Sequence, residues 1–214
     1  MRRIDRTAPG LLGAAMFVWA GCAPPPAPAA GTRPGPAPRP AAEADPAGSG
    51  SLRQDQISVR MTAGPVQIQV TPLAEWILAT AAPDTRDRLR RIAETHRAEL
   101  VRRSGVEEPA LFLVSFTSGE PGAEFQPGDL HLLSRGLRER PVAIRAITPG
   151  WGRQRLAQRS TETAVYAYGD AIDLTRDLTV AYQGTEDVSW SARLTVIEAE
   201  RVRIGRTVPG GSGR

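Results

Sequence analysis

The sequence predicts a mainly β fold with one inserted amphipathic helix, and three observations carry that reading. Short runs of Val, Ile, Leu and Tyr alternate with polar residues and are separated by turns containing Gly, Pro and Asp. One stretch, from about Asp84 to Arg103, instead repeats its apolar residues at three- and four-residue steps. The overall balance, 41% hydrophobic and 23% charged over 214 residues, is that of an ordinary globular chain.

The strands follow in order. Ile57 to Met61 and Val66 to Thr71 form a first pair around the turn Ala63-Gly64-Pro65. In the second of them Val66, Ile68 and Val70 point to one face while Gln67 and Gln69 point to the other. Leu111 to Thr117, Leu130 to Ser134, Val142 to Thr148, Thr163 to Tyr168 and Leu178 to Gln183 continue the pattern. Trp190 to Ile197 also alternates, with Trp190, Ala192, Leu194 and Val196 on one side, and is expected as a final strand. About eight strands with turns every ten or so residues predict an antiparallel β-sandwich, immunoglobulin-like in broad architecture.

Between the second and third strands lies the helix, near residues 84–104. Asp84 is expected to cap its start and Gly105 to close it in a left-handed conformation. Leu89, Ile92, Ala93, His96 and Leu100 form its buried stripe. Asp84 with Arg88, Asp87 with Arg91 and Glu99 with Arg103 are acid-first pairs four residues apart. The preceding Pro72 to Ala82 reads as a short helix or a strand, with Pro72 and Glu75 favouring the helix.

Upstream of this domain the chain carries an address. Met1 to Gly10 holds three arginines, and Leu11 to Ala20 is an unbroken small and apolar run. Ten helical residues rise about 15 Å, half the hydrocarbon thickness, so the run is a leader and not a span. Trp19-Ala20-Gly21-Cys22 ends it, and Ala20, Gly21 and Cys22 match the lipobox that bacterial lipoproteins place before a lipidated cysteine, with Trp19 standing where an aliphatic residue is usual. The first 22 residues thus resemble a bacterial lipoprotein precursor. That resemblance implies a signal peptide over residues 1–21, diacylglycerol and an amide-linked acyl chain such as palmitate on Cys22, and attachment to the cell envelope. Ala23, next after the cysteine, is similar to an outer-membrane sorting signal more than to an inner-membrane one.

Residues 22–50 then form a tether of Pro, Ala and Gly with few charges, expected to stay disordered and to reach roughly 80 Å when extended. The β-sandwich is expected over residues 51–207 and a loose tail over 208–214. Gly48-Ser49-Gly50 and Gly210 to Gly213 read as flexible ends, since neither follows a strand and opens a helix as a phosphate cradle does.

Charge and cysteine content exclude whole classes. The formal charge is +4, of which the leader's three arginines and Asp5 account for +2, and the remaining arginines are interleaved with acids. A nucleic-acid partner needs a concentrated basic face, so none is expected. All 27 basic residues are arginine and neither Lys nor Asn occurs, which reads as a codon bias and not as a function. The single cysteine rules out an internal disulfide and the two-thiolate zinc patterns.

Catalytic signatures are sparse. No Gly-x-Ser-x-Gly elbow occurs, and the absence of Lys removes Ser-x-x-Lys dyads. His96 and His131 read as packed side chains, without further convergent ligands. Asp170, Asp173 and Asp177 surround a turn, where carboxylates either bond their own backbone or hold calcium. No cofactor is expected. The least generic segment is the polar loop Gly150 to Ser160, in which Trp151, flanked by Arg153 and Arg155, is either a partner-binding anchor or a core residue at a turn. These features predict a lipid-anchored, non-enzymatic module that binds an envelope protein or glycan. A structural or assembly subunit of a larger envelope complex is the second reading, and a carboxylate hydrolase using Asp170, Asp173 and His131 is the third.

Overall fold

Residues 48–207 are described by a computed structural model. The leader, Cys22, most of the tether and the tail from residue 208 lie outside the described residues. Within them the fold is mainly antiparallel β. Eleven strands run in chain order: β1 (Val59–Ala63), β2 (Val66–Pro72), β3 (Ala110–Ser118), β4 (Ala123–Glu124), β5 (Leu130–Ser134), β6 (Leu137–Glu139), β7 (Ala143–Ala146), β8 (Arg155–Leu156), β9 (Thr161–Tyr168), β10 (Leu178–Tyr182) and β11 (Thr185–Asp187). Helix α1 (Glu75–Leu78) is one turn, α2 (Pro83–Ser104) is the inserted helix, and α3 (Trp190–Thr207) ends the domain.

The strands form a five-stranded sheet in the order β1-β2-β3-β9-β7, a four-stranded sheet in the order β11-β10-β5-β6, and the small pair β4-β8. Every pairing between strands is antiparallel. Arg135-Gly136 turns the hairpin between β5 and β6, with both residues at positive φ (52° and 77°), as a type I′ turn requires. Gln183-Gly184 repeats the device between β10 and β11. After β6 the chain leaves its sheet, so the segment expected as Val142 to Thr148 pairs with β9 in the other one.

Aromatic side chains fill the space between the two large sheets. Phe116 of β3 stacks on Phe125 at 4.8 Å and meets Tyr182 of β10 at 5.6 Å. The Tyr166 and Tyr168 hydroxyls of β9 donate to the carbonyls of Pro127 and Leu130 across the interface, both at 3.0 Å. Tyr182 accepts from the Gln126 amide at 2.9 Å. Three tyrosines from two sheets thereby pin one short segment of backbone that would otherwise bury polar groups without partners.

Helix α2 carries the expected stripe, with Leu89, Ala93 and Leu100 buried and Ile92 half-buried against the core. It begins one residue earlier than expected. Pro83 takes the first helical position, where its missing N–H costs nothing, so Ala82 is the N-cap and Asp84 lies in the first turn as a charge near the helix dipole. Gly105 closes the helix at φ 68°. Of the acid-first pairs, Glu99–Arg103 forms at 3.4 Å, whereas Arg88 turns to Gln54 and Asp87 pairs with Arg86.

The expected final strand, Trp190 to Ile197, is instead the first half of α3. The Asp187 carboxylate accepts from both the amide and hydroxyl of Ser189, at 2.8 and 2.5 Å, and the Ser189 carbonyl takes the first helical bond from Arg193. Trp190, Ile197 and Glu200 are buried and Leu194 half-buried, a spacing of three, four and seven that seats one helix face. Trp190 also donates its indole N–H to the Leu174 carbonyl at 3.2 Å.

The tether boundary moves as well. Far from being a flexible end, Gly50 is buried, and a Cβ there would fall 2.2 Å from the Thr80 carbonyl carbon. Ser51 donates its amide and hydroxyl to the buried Glu200 carboxylate, at 2.7 and 2.8 Å, and Arg203 holds both Glu200 and the Ser49 carbonyl. The domain therefore begins before residue 51.

Two outcomes follow from this clamp. Gly50→Ala forces backbone against backbone and is expected to cost about 1–3 kcal/mol, read as a lowered urea midpoint at unchanged slope; an unchanged midpoint would show that residues 49–51 do not pack. The Glu200 carboxyl is held down to about 2, from 4.5, chiefly by Arg203 and further by Ser51, against the opposing effect of burial. A depressed folded pKa means stability present at neutral pH and lost as pH falls from 4.5 towards 2. The stability gap between the parent and Glu200→Gln should therefore narrow through that window, and a gap independent of pH would rule out the linkage.

Candidate functional site

The outer face of the five-stranded sheet, turned away from the aromatic core, is only partly roofed. Helix α2 lies over β7 and β9, where Val165 and Ala167 are buried beside Leu113 of β3, and Arg145 of β7 is tied to Glu99 of α2 at 3.0 Å. Beyond the helix the same face is open and forms a trough of about 710 Å³. Strand alternation dictates its chemistry: Val59, Met61, Ile68, Val70, Val114 and Phe116 are buried, so their neighbours in sequence face outward.

Register aligns those neighbours into two transverse rows. Thr62, Gln67, Thr117 and Thr161 stand side by side across four strands. Arg60, Gln69, Ser115 and Thr163 form the next row, nearer α2. All eight line the trough. Thr117 and Thr161 bond hydroxyl to hydroxyl at 2.8 Å, and Ser115 and Thr163 at 3.2 Å.

A hydrogen-bonded chain fixes the β1 side. Arg88 of α2 donates to the Gln54 side-chain oxygen at 2.6 Å, Gln54 donates to Thr71 at 3.0 Å, and Thr71 and Ser58 share a bond of 2.8 Å. Gln69 donates to Ser58 at 3.1 Å, which brings the chain back to the floor. The opposite wall is Ile147 and Thr148, whose amides both donate to the Thr163 carbonyl. The Thr148 hydroxyl accepts from the Thr163 amide and donates to Glu162. These bonds hold the side chains in place before any ligand arrives, which lowers the ordering cost of binding.

Arg60 and Arg88 line the trough and no Asp or Glu does. Among the described residues it contains no nucleophile paired with a base and no carboxylate pair. The arrangement is suited to holding a polar or anionic ligand.

The residues singled out from the sequence are dispersed. Trp151 is in the core, 8% exposed, with its ring 5.1 Å from Phe125 and 5.7 Å from Phe116. It is therefore not a surface anchor, because aromatic packing at the turn Pro149–Arg153 outweighs exposure. Arg153 and Arg155 are exposed, and Arg155 faces Glu124 at 3.5 Å. His131 lies on the outer face of β5, and burial together with Arg138 and Arg140 lowers its pKa, which keeps the ring neutral at pH 7. Asp173 is held at about 2 by the Thr175 hydroxyl and amide and by Arg135. Its backbone is fixed to Ser134, three residues along β5 from His131 and on the opposite face, about 10 Å away in an extended strand. The His131 and Asp173 of the hydrolase reading are thus not brought into one cleft. No group of three His, Cys, Asp or Glu able to hold a metal occurs among the described residues, the turn around Asp170, Asp173 and Asp177 included.

No family model, curated protein or solved structure matches the chain.

Placement of Trp151 and Arg153 in one turn gives a direct check. Trp151→Ala is expected to cost about 3–5 kcal/mol, while Arg153→Ala should stay within about 0.5 kcal/mol, both by chemical denaturation. A stable Trp151→Ala protein would return the indole to the surface.

Proposed function

We propose that this chain is an envelope lipoprotein, anchored through acylated Cys22, whose domain is a non-enzymatic binding module working through the trough on the outer sheet face. The observation that carries the binding reading is the acid-free trough with its side chains already tied by hydrogen bonds. The anchoring reading is supported by the apolar leader that ends at the only cysteine. Among the described residues no helix is long and apolar enough to cross a membrane. The surface moves from the loop Gly150 to Ser160 to the sheet face, because Trp151 is committed to the core. Ala23 after the cysteine favours the outer membrane as the destination.

Membrane fractionation tests the anchor: the parent should sediment with membranes with acyl mass on Cys22, and Cys22→Ser should appear in the soluble fraction. Equal membrane retention of both would end the lipoprotein reading. For the surface, a photo-crosslinking residue at position 117 should give adducts in intact cells that the same residue at position 153 does not. Adducts from 153 alone would return the contact to the loop.

A further inference from the structure

The geometry points to a specific ligand class for the trough, an inference that rests on the binding reading above: a short acidic glycan, about four sugar units, lying across the strands with a carboxylate at the β1 end. Neighbouring strands are about 4.8 Å apart, close to the advance of one pyranose along a linear chain. The row Thr62, Gln67, Thr117 and Thr161 therefore presents one hydroxyl or amide per sugar, and Gln69, Ser115 and Thr163 repeat that offer alongside.

The chemistry of the floor selects against other occupants. An extended peptide that adds to a sheet pairs along one strand edge, whereas the polar rows run across four strands, of which only β1 is an edge. Side chains of a peptide lying on the face would need apolar pockets on the floor, but Met61 and Ile68 are buried on the core side and Leu113 is buried in the seat of α2, which leaves Ile92 and Ile147 as apolar groups at the sides. Sugars present hydroxyls at every unit, which match a surface of Thr, Ser and Gln that can both donate and accept. No aromatic ring lines the trough for stacking, so affinity must come from polar and charged groups.

Charge then fixes polarity and direction. Arg60 is exposed on β1, and the bond to Gln54 draws Arg88 to the same side using one of its five N–H donors. Asp55, the carboxylate that feels Arg60, is already paired with Arg53 at 3.2 Å. Two guanidinium groups facing a site without acids are complementary to a carboxylate, and two are too few to track a phosphate polyanion. The opposite end, at Thr161 and Thr163, is neutral in its lining. A uronate-containing chain thus has a preferred orientation.

Calorimetric titration of the full chain in detergent with oligogalacturonates of two to eight units tests this. Affinity should rise to about four units and level off, and a neutral maltooligosaccharide of equal length should bind about tenfold more weakly. Arg60→Ala should lose on the order of tenfold and the near-isosteric Thr117→Val about threefold, both at unchanged melting temperature. Equal binding of acidic and neutral chains, or an unaffected Arg60→Ala, would overturn the inference, as would tighter binding of a polyglutamate peptide of matching length. Failure of every oligosaccharide while position 117 still crosslinks in cells would overturn the ligand class alone. Failure of both would remove the trough from the binding reading as well.

Discussion

The interlock between the two large sheets is the constraint on which the rest of the molecule depends. Tyr166 and Tyr168 reach across to the Pro127 and Leu130 carbonyls, and Tyr182 receives the Gln126 amide, so one buried strip of backbone is satisfied by side chains from both layers. Burial pushes all three phenols above their ordinary pKa, so the Tyr166 and Tyr168 hydroxyls are protonated donors at neutral pH. Around them Phe116, Phe125 and Trp151 pack edge and face, each such pair adding about 0.5–1.5 kcal/mol beyond burial. A slip of β9 by one residue would turn the tyrosines outward and leave those backbone groups unpaired.

Because that slip is forbidden, the outward face is fixed too. Thr161 and Thr163 face away from the core for the same reason that Ala164, Tyr166 and Tyr168 are buried with it. Helix α2 is aligned with the β7–β9 side, where Leu113, Val165 and Ala167 give it an apolar seat, and it leaves the remaining rows uncovered. The floor of the trough is therefore the part of one sheet face whose two rows are polar, with Ile92 and Ile147 adding apolar surface only at its sides. The polarity of that floor and its openness have a single origin.

Seven of the long strands were legible because alternation and turns agree, as in Val66, Ile68 and Val70 against Gln67 and Gln69. The stripe of α2 was legible for the same reason at a different period. At Trp190 to Ile197 two periods compete: Trp190, Leu194 and Ile197 fit a helix as well as Trp190, Ala192, Leu194 and Val196 fit a strand. Ser189 as a helix start, and the later pairs Glu198–Arg201 and Glu200–Arg203, were the signals that decide it. The trough was not legible, since its rows join Arg60, Gln69, Ser115 and Thr163 through pairings that no local pattern encodes. Trp151 stayed open between anchor and core because its sequence neighbours are polar, while the rings that enclose it come from β3, β9 and the segment around Phe125.

The seam between Ser49–Ser51 and Glu200–Arg203 joins positions about 150 residues apart, since the Ser51 to Glu200 bonds span a separation of 149. A nascent polypeptide leaving the ribosome cannot complete that seam until residues 200–203 have emerged. The opening residues must wait for the closing helix, and closing so long a loop is entropically costly. Intermediates truncated before residue 200 would thus hold Ser49–Ser51 with nothing to clamp it, which makes the seam a late stitch in the assembly of this domain.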